Sequence, residues 1–381
     1  MKQLLTGLCA LLAAGFAPAL PGSAATPDRP ASDPLYLAVG SYASAEEEGI
    51  RIYRFDPHSG TAEYAAGLSG IANPSYLVAS PDGEHLYAVA ENGAGAAWLN
   101  HLRFDRRTGT PTFADRQPAG AAPCYVALDP AGRFAATADY MGASVSLFAI
   151  GDDGRLDDAP RTVRFKGHGP DPERQEQPHL HCIAFTPDGR RMLACDLGLD
   201  CIHTFPLVAG ARGTEAVDTD GGSDLTIRAG AGPRHLRFGP DGRFAYLINE
   251  ISGEVTVFAF RRGELRPIQY IAADTVGARG SGDIRIAPDG RHLYASNRLK
   301  NDGVAIFAID RRRGTLTSVG YQPTGPHPRN FVLTPDGRFV LVACRDSDTV
   351  QLFERDPASG LLRDTGRTID MPRPVCLEFI R

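Results

Sequence analysis

Beyond its first 25 residues, the 381-residue chain has no apolar run long enough to cross a bilayer. It also has no stretch in which apolar residues recur at the helical period of about 3.6. The first absence leaves no helical membrane span to be expected in the mature protein, and the second excludes ankyrin, leucine-rich and other helical repeats. Basic excess is missing too. The formal net charge is −5, and without Lys2 there remain 39 bases against 45 acids. Neither nucleic acid nor an anionic membrane surface is therefore expected as a partner. Gly-x-Ser-x-Gly does not occur, which removes hydrolases built on a serine nucleophile elbow.

What is present is punctuation at a steady pitch. Pro-Asp-Gly ends at Gly83, Gly189, Gly242, Gly290 and Gly337, and Pro130-Ala131-Gly132 fills the one gap, with glycines 47 to 57 residues apart. Proline presets φ and glycine accepts positive φ, so each is a tight turn. Around Gly242 the apolar runs 235–238, 244–249, 255–260 and 268–271 are short, rich in β-branched and aromatic residues, and separated by turn residues. Such runs are antiparallel strands, and four of them per unit of roughly 50 residues make a propeller blade. Six turn-marked units fill 71–370. Residues 36–68 supply the second, third and fourth strands of a further blade, and 374–380 resemble the missing first one. The expected fold is all-β: a seven-bladed β-propeller over 34–381, four antiparallel strands per blade, closed by pairing of the N- and C-terminal segments, which hides the open sheet edges.

Residues 1–25 read as a signal peptide: Lys2, a small-residue-rich apolar stretch over 4–20, then Ser23-Ala24-Ala25. An exported protein, periplasmic or secreted and monomeric, is expected. Of the cysteines, Cys124, Cys182, Cys195, Cys201, Cys344 and Cys376 follow the leader. Cys195 and Cys201 are placed to face each other across a hairpin. However, Cys195 and Cys344 occupy blade positions where other units carry small apolar or neutral residues, so buried free thiols are the expectation.

The marker glycines also serve as a ruler. Eight residues before them stand Ser75, Cys124, His181, Arg234, Gly282 and Arg329; eight after stand Glu91, Tyr140, Leu197, Glu250, Arg298 and Arg345. Both offsets lie one strand length from the turn, so both form rings around the channel mouth at the opposite face. His181, Arg234, Glu250, Arg298 and Arg329 therefore converge, and concave mouths of this kind take ligands. Guanidinium forks match carboxylate or phosphate oxygens, while His181, Glu250 and Asp283 offer proton transfer. The mouth is enlarged by longer connections at 167–177 and 275–281, the latter carrying Arg279. His179 and His181 have the i, i+2 spacing of a two-His metal site on a strand, but no third ligand is near in sequence, so no catalytic metal is expected. Ser75 and Tyr140 are expected only to hydrogen-bond, and Cys124 has no partnering base.

At these residues the chain resembles the seven-bladed propeller lactonases, the family of the cycloisomerase-type 6-phosphogluconolactonase, with fungal carboxy-muconate cyclase as a relative. The matching segments run from Gly169 through Gln175 and Pro178 to His181, and include Gly232-Pro233-Arg234-His235, Asn249-Glu250, Arg279 with Asp283, residues 293–298 and Pro328-Arg329-Asn330-Phe331. The resemblance implies a carboxylic ester hydrolase without cofactor, acting on a small-molecule lactone or anionic sugar-derived substrate. It maps the family's His on His181, its arginines on Arg234, Arg298 and Arg329, and its acid on Glu250. Catalysis is then expected from Glu250, His181, Arg234 and Arg298, and substrate binding from Arg329, Arg279, Asp283 and His179. Lactone-forming cycloisomerisation and a non-catalytic ligand- or protein-binding propeller are the alternatives. The leader sets this chain apart from the cytosolic sugar-phosphate lactonase.

Overall fold

Seven four-stranded antiparallel sheets stand around one axis in the computed structural model, which describes residues 34–381 apart from 158 and 159. The expected signal peptide lies outside the described residues. The first blade is the split one. Its inner strand, Pro374–Ile380, pairs with Leu35–Ser41 from Tyr36↔Ile380 to Gly40↔Cys376, and Ile50–Asp56 and Thr61–Leu68 complete it. The inner strands of the next six blades are Leu77–Ala79, Pro123–Leu128, Leu180–Phe185, Pro233–Phe238, Ser281–Ile286 and Pro328–Leu333. Among the described residues the only helical turns are Gly213–Ala216 and Arg345–Ser347.

Burial follows distance from the axis. Second strands such as Phe339–Cys344 are buried throughout, because neighbouring blades cover both faces. Outermost strands such as Glu264–Ala272 are mostly open to solvent, which is why their sequences are polar. The marker turns behave as their composition dictates. Gly242 takes φ +68° and its N–H donates to Gly239 O at 2.9 Å, while Asp241 Oδ1 accepts from Arg243 N at 3.0 Å. Gly132 takes φ +70°, so Pro130-Ala131-Gly132 does the same work.

One backbone device was not legible in the sequence. Four inner strands skip a residue at the same place: the ladder passes from Pro123 to Tyr125, Leu180 to Cys182, Pro233 to His235, and Pro328 to Asn330. The unpaired residues are Cys124, His181, Arg234 and Arg329, all at the offset of eight before the marker glycine. A bulge places two residues opposite one and re-aims the extra side chain. The sixth blade is irregular at the same point, between Ser281 and Ile284. There Gly282 fits because an added Cβ would lie 2.5 Å from Ser296 Oγ and 3.1 Å from Arg329 O.

The six described cysteines are free and buried. The facing expected between Cys195 and Cys201 does not occur. Cys195 opposes Ile202 on one side and Cys182 on the other, and Cys201 opposes Asp196.

Candidate active site at the channel mouth

Glu250 follows the second strand of the fifth blade, Phe244–Asn249, and is the hub of the mouth. Its Oε1 accepts from Arg174 at 2.5 Å, and its Oε2 accepts from Arg234 Nε at 2.8 Å and lies 3.1 Å from Arg298 Nη2. The three cations come from the 167–177 connection, the fifth blade and the sixth. Burial pushes the carboxyl up, but Arg298, Arg234 and Arg174 more than reverse this and hold it at about 2. A carboxylate with both oxygens engaged and so low a pKa is a weak proton acceptor. It is better suited to fix arginines.

Those arginines also stitch backbone. Arg234, 1% exposed, donates through Nη1 to Gly282 O at 2.9 Å. Arg298 donates through Nε to Gly280 O at 2.7 Å and through Nη2 to Ser281 O at 3.3 Å. Arg329 differs. It lies over the Tyr42 ring at 5.5 Å and is half-buried, and among the described residues its guanidinium has no hydrogen-bond or ion-pair partner. Unlike Arg234 and Arg298, it spends no N–H on a carboxylate or a backbone carbonyl among the described residues.

His181 is the second group with unspent capacity. It is 4% exposed, packed edge-on against Tyr140 at 5.7 Å and His235 at 5.3 Å, and its Nδ1 has no partner among the described residues. Burial drives its pKa well below 6.5, and Arg234, His235 and Arg329 push the same way, so the ring is neutral near pH 7. A buried polar atom without a partner costs about 1–3 kcal/mol, which a ligand or water at that atom would recover. Opposite stands Glu91, which accepts from Tyr42 Oη at 3.0 Å and from Ser75 Oγ.

Two expected ligand-binding residues lie elsewhere than the mouth's open rim. Asp283 is fully buried, with His235 Nδ1 at 2.7 Å, Arg285 Nε at 2.9 Å and Asn330 Nδ2 at 2.7 Å. Burial pushes it up, yet Arg285 and His235 draw it far below the usual carboxylate range. Arg237 Nη1 donates to Tyr125 Oη at 2.6 Å and Tyr76 stacks on Tyr125 at 4.2 Å, so side chains of the second, third, fifth and sixth blades meet behind the mouth. The mouth is therefore a cup with a floor. His179 lies ahead of its strand rather than on it, stacked on Tyr140 at 4.2 Å, with Nδ1 at 3.0 Å from Tyr140 O and Nε2 at 3.2 Å from Glu176 Oε1. It does not share a strand face with His181. Arg279 pairs with Asp171, so the two long connections are tied to each other.

Sequence reasoning brought His181, Arg234, Glu250, Arg298 and Arg329 together, and the structure does the same. It missed Arg174, whose signal was only the length of its loop. It missed Tyr42, which takes the equivalent place in the split blade that carries no marker turn. His235 was visible only as part of a matching segment.

The propeller mouth thus gathers Arg174, Arg234, Arg298 and Arg329 around Glu250 and Glu91 with a neutral imidazole beside them, an arrangement chemically able to hold an electron-rich small molecule and polarise a carbonyl. The chain belongs to the lactonase family of seven-bladed β-propellers, whose description, "Lactonase, 7-bladed beta-propeller", matches residues 36–379. It is a lactonase, a carboxylic ester hydrolase. It is 34% identical to 6-phosphogluconolactonase of Formosa agariphila over 334 residues, covering 86% of this chain and 94% of that one. A candidate 6-phosphogluconolactonase of known structure from Bacteroides fragilis is 46% identical, with a TM-score of 0.89 over 93% of this chain and 99% of that one. The periplasmic gluconolactonase of Pseudomonas aeruginosa is 33% identical, with a TM-score of 0.84 over 91% and 99%.

Proposed function

We propose that the cup hydrolyses a six-carbon aldonolactone outside the cytoplasm, with His181 as proton acceptor and Arg329 as the group that polarises the carbonyl. The observation that carries this reading is the pairing of unspent capacity: a buried Nδ1 without a partner near a guanidinium that no carboxylate hydrogen-bonds among the described residues. His181 Nδ1 takes a proton from water as the water oxygen bonds to the lactone carbonyl carbon. Arg329 donates to the oxygen that becomes the oxyanion. The intermediate collapses, the ring C–O bond breaks, and the ring oxygen takes the proton from the imidazolium. The product is the hydroxy acid, ionised at neutral pH. Arg174, Arg234 and Arg298 keep the cup cationic, and Glu250 holds them in place. The leader and the periplasmic relative support an extracytoplasmic setting, where an unphosphorylated lactone such as gluconolactone is the more accessible substrate.

Acid release in a pH-stat, from gluconolactone and from its 6-phosphate, tests the reading. Acceleration of the unphosphorylated lactone is expected. Turnover of the phosphate ester alone would overturn the extracytoplasmic assignment, and turnover of neither would leave a binding propeller.

A further inference from the structure

On the fourth blade, away from the groups that line the cup, a thiol, an imidazole and carboxylates converge. Cys201 and His203 alternate along the strand Cys201–Pro206, so both side chains leave the same face. The ladder sets Asp196 opposite Cys201 on one side and Asp224 opposite His203 on the other. Cys201 Sγ is 3.4 Å from His203 Nε2 and 3.7 Å from Nδ1, and Nδ1 is 2.7 Å from Asp224 Oδ1. Donor atoms of Cys201, His203 and Asp224 all lie within 4.8 Å of one another. Two ligands of a tetrahedral zinc-type ion, bonded at about 2.0–2.3 Å, stand roughly 3.3–3.8 Å apart. The 3.7 Å from Sγ to Nδ1 already lies in that range. A turn of the Cys201 side chain would bring Sγ round to the Nδ1 side of the ring, and Asp224, exposed at the blade's edge, has room to swing out by the remaining fraction of an ångström.

The support around these donors is that of a metal centre. Asp196 Oδ1 accepts from the backbone N–H groups of His179, Gly198 and Leu199 at 2.8, 2.9 and 3.1 Å, which pins the carboxylate. Its Oδ2 then faces His203 Nε2 at 3.3 Å. A carboxylate accepting from one ring nitrogen fixes the tautomer and leaves the other nitrogen's lone pair for an ion. Phe165 stacks on the imidazole at 4.0 Å and covers its flat side. The charge balance points the same way. Asp196 and Asp224 flank His203, and among the described residues no lysine or arginine forms an ion pair with either.

We propose that Cys201, His203 Nδ1 and Asp224 bind one divalent ion of the zinc class, with Asp196 as the partner of His203 Nε2. The Cys201 thiol gives up its proton to solvent on binding, and a water fills the fourth position on the Asp224 side. Zinc suits the set because its preferred ligands are thiolate, imidazole and carboxylate. The ion ties two adjacent strands together and, through Asp196 on a third, steadies the backbone of His179, two residues before His181.

The probes are zinc and cobalt(II) themselves, on the full chain purified without chelator. One zinc per chain is expected by elemental analysis. Cobalt(II) in its place should give the near-ultraviolet thiolate charge-transfer band, and Cys201→Ser should remove that band. Asp224→Asn, at an exposed position, should fold normally and weaken metal affinity about tenfold or more. Substoichiometric metal with no charge-transfer band would overturn the proposal, leaving an imidazolium bridged between Asp196 and Asp224. So would a band that survives Cys201→Ser, or, should that variant not fold, an Asp224→Asn protein with unchanged affinity.

Discussion

Replacing Glu250 by Gln keeps the shape of the side chain and removes the charge that Arg174, Arg234 and Arg298 share. The folded carboxyl sits at about 2 instead of 4.5. At about 1.4 kcal/mol per tenfold, this favours the native ion by roughly 3 kcal/mol, the size expected when one member of a buried ion pair is removed. Unfolding of about 350 ordered residues carries an entropy near 0.7 kcal/mol/K, so the midpoint should drop by roughly 4 °C at pH 7. The sign of the pH dependence follows from the depressed value. The wild-type advantage is fully present above pH 4.5 and is lost as pH falls toward 2. Thermal melts of both proteins from pH 7 to pH 3, followed by circular dichroism, should therefore draw together on acidification, to about 40% of the pH 7 gap at pH 3. A midpoint at pH 7 within 1 °C of wild type, or a gap that widens on acidification, would refute the clamp. Unchanged stability with acid release cut about 100-fold would instead make Glu250 the proton acceptor.

His181→Gln should cut turnover by about 100-fold or more while leaving the melting temperature within a degree or two, since Nδ1 has no partner to lose. In the wild type, kcat/KM should stay flat from pH 8 to 6.5 and fall only further down, because His181 must be neutral and its pKa is pushed well below 6.5. Arg329→Ala should weaken transition-state binding by about 1.5–3 kcal/mol, and Arg329→Lys nearly as much, because a lysine loses the fork; a change in stability without loss of activity would make Arg329 structural. Removing residues 374–381 takes the inner strand out of the first blade, so the truncated chain should be insoluble or melt far below the full one, as judged by yield and thermal melt.

How much of this was legible depended on what each feature is made of. Turn chemistry is local, so Pro-Asp-Gly marked the blades and the missing strand at residue 36 announced the closure at residue 374. The ruler then brought His181, Arg234, Glu250, Arg298 and Arg329 together, because offsets within a repeat become positions around an axis. Partner choice is not local. Spacing grouped Arg234, Arg298 and Arg329 with Glu250, but it did not show that this one carboxylate engages Arg234, Arg298 and the loop residue Arg174 and leaves Arg329 aside. Asp283, one residue after a ring position, looked like rim, yet the irregular ladder turns it toward His235 and Arg285. Neither result follows from spacing, since both depend on which side chain a bulge releases.

A residue at a bulge belongs to neither face of its sheet. Its neighbours keep their own sides whatever stands there, so Cys124, His181, Arg234 and Arg329 differ in size, charge and reactivity while their blades share one backbone path. The price of altering chemistry at such a seat is local, because the layers of Val, Leu and Phe behind it need not be re-sorted. A different reaction could be written into this ring one seat at a time, with the scaffold unaware of the change.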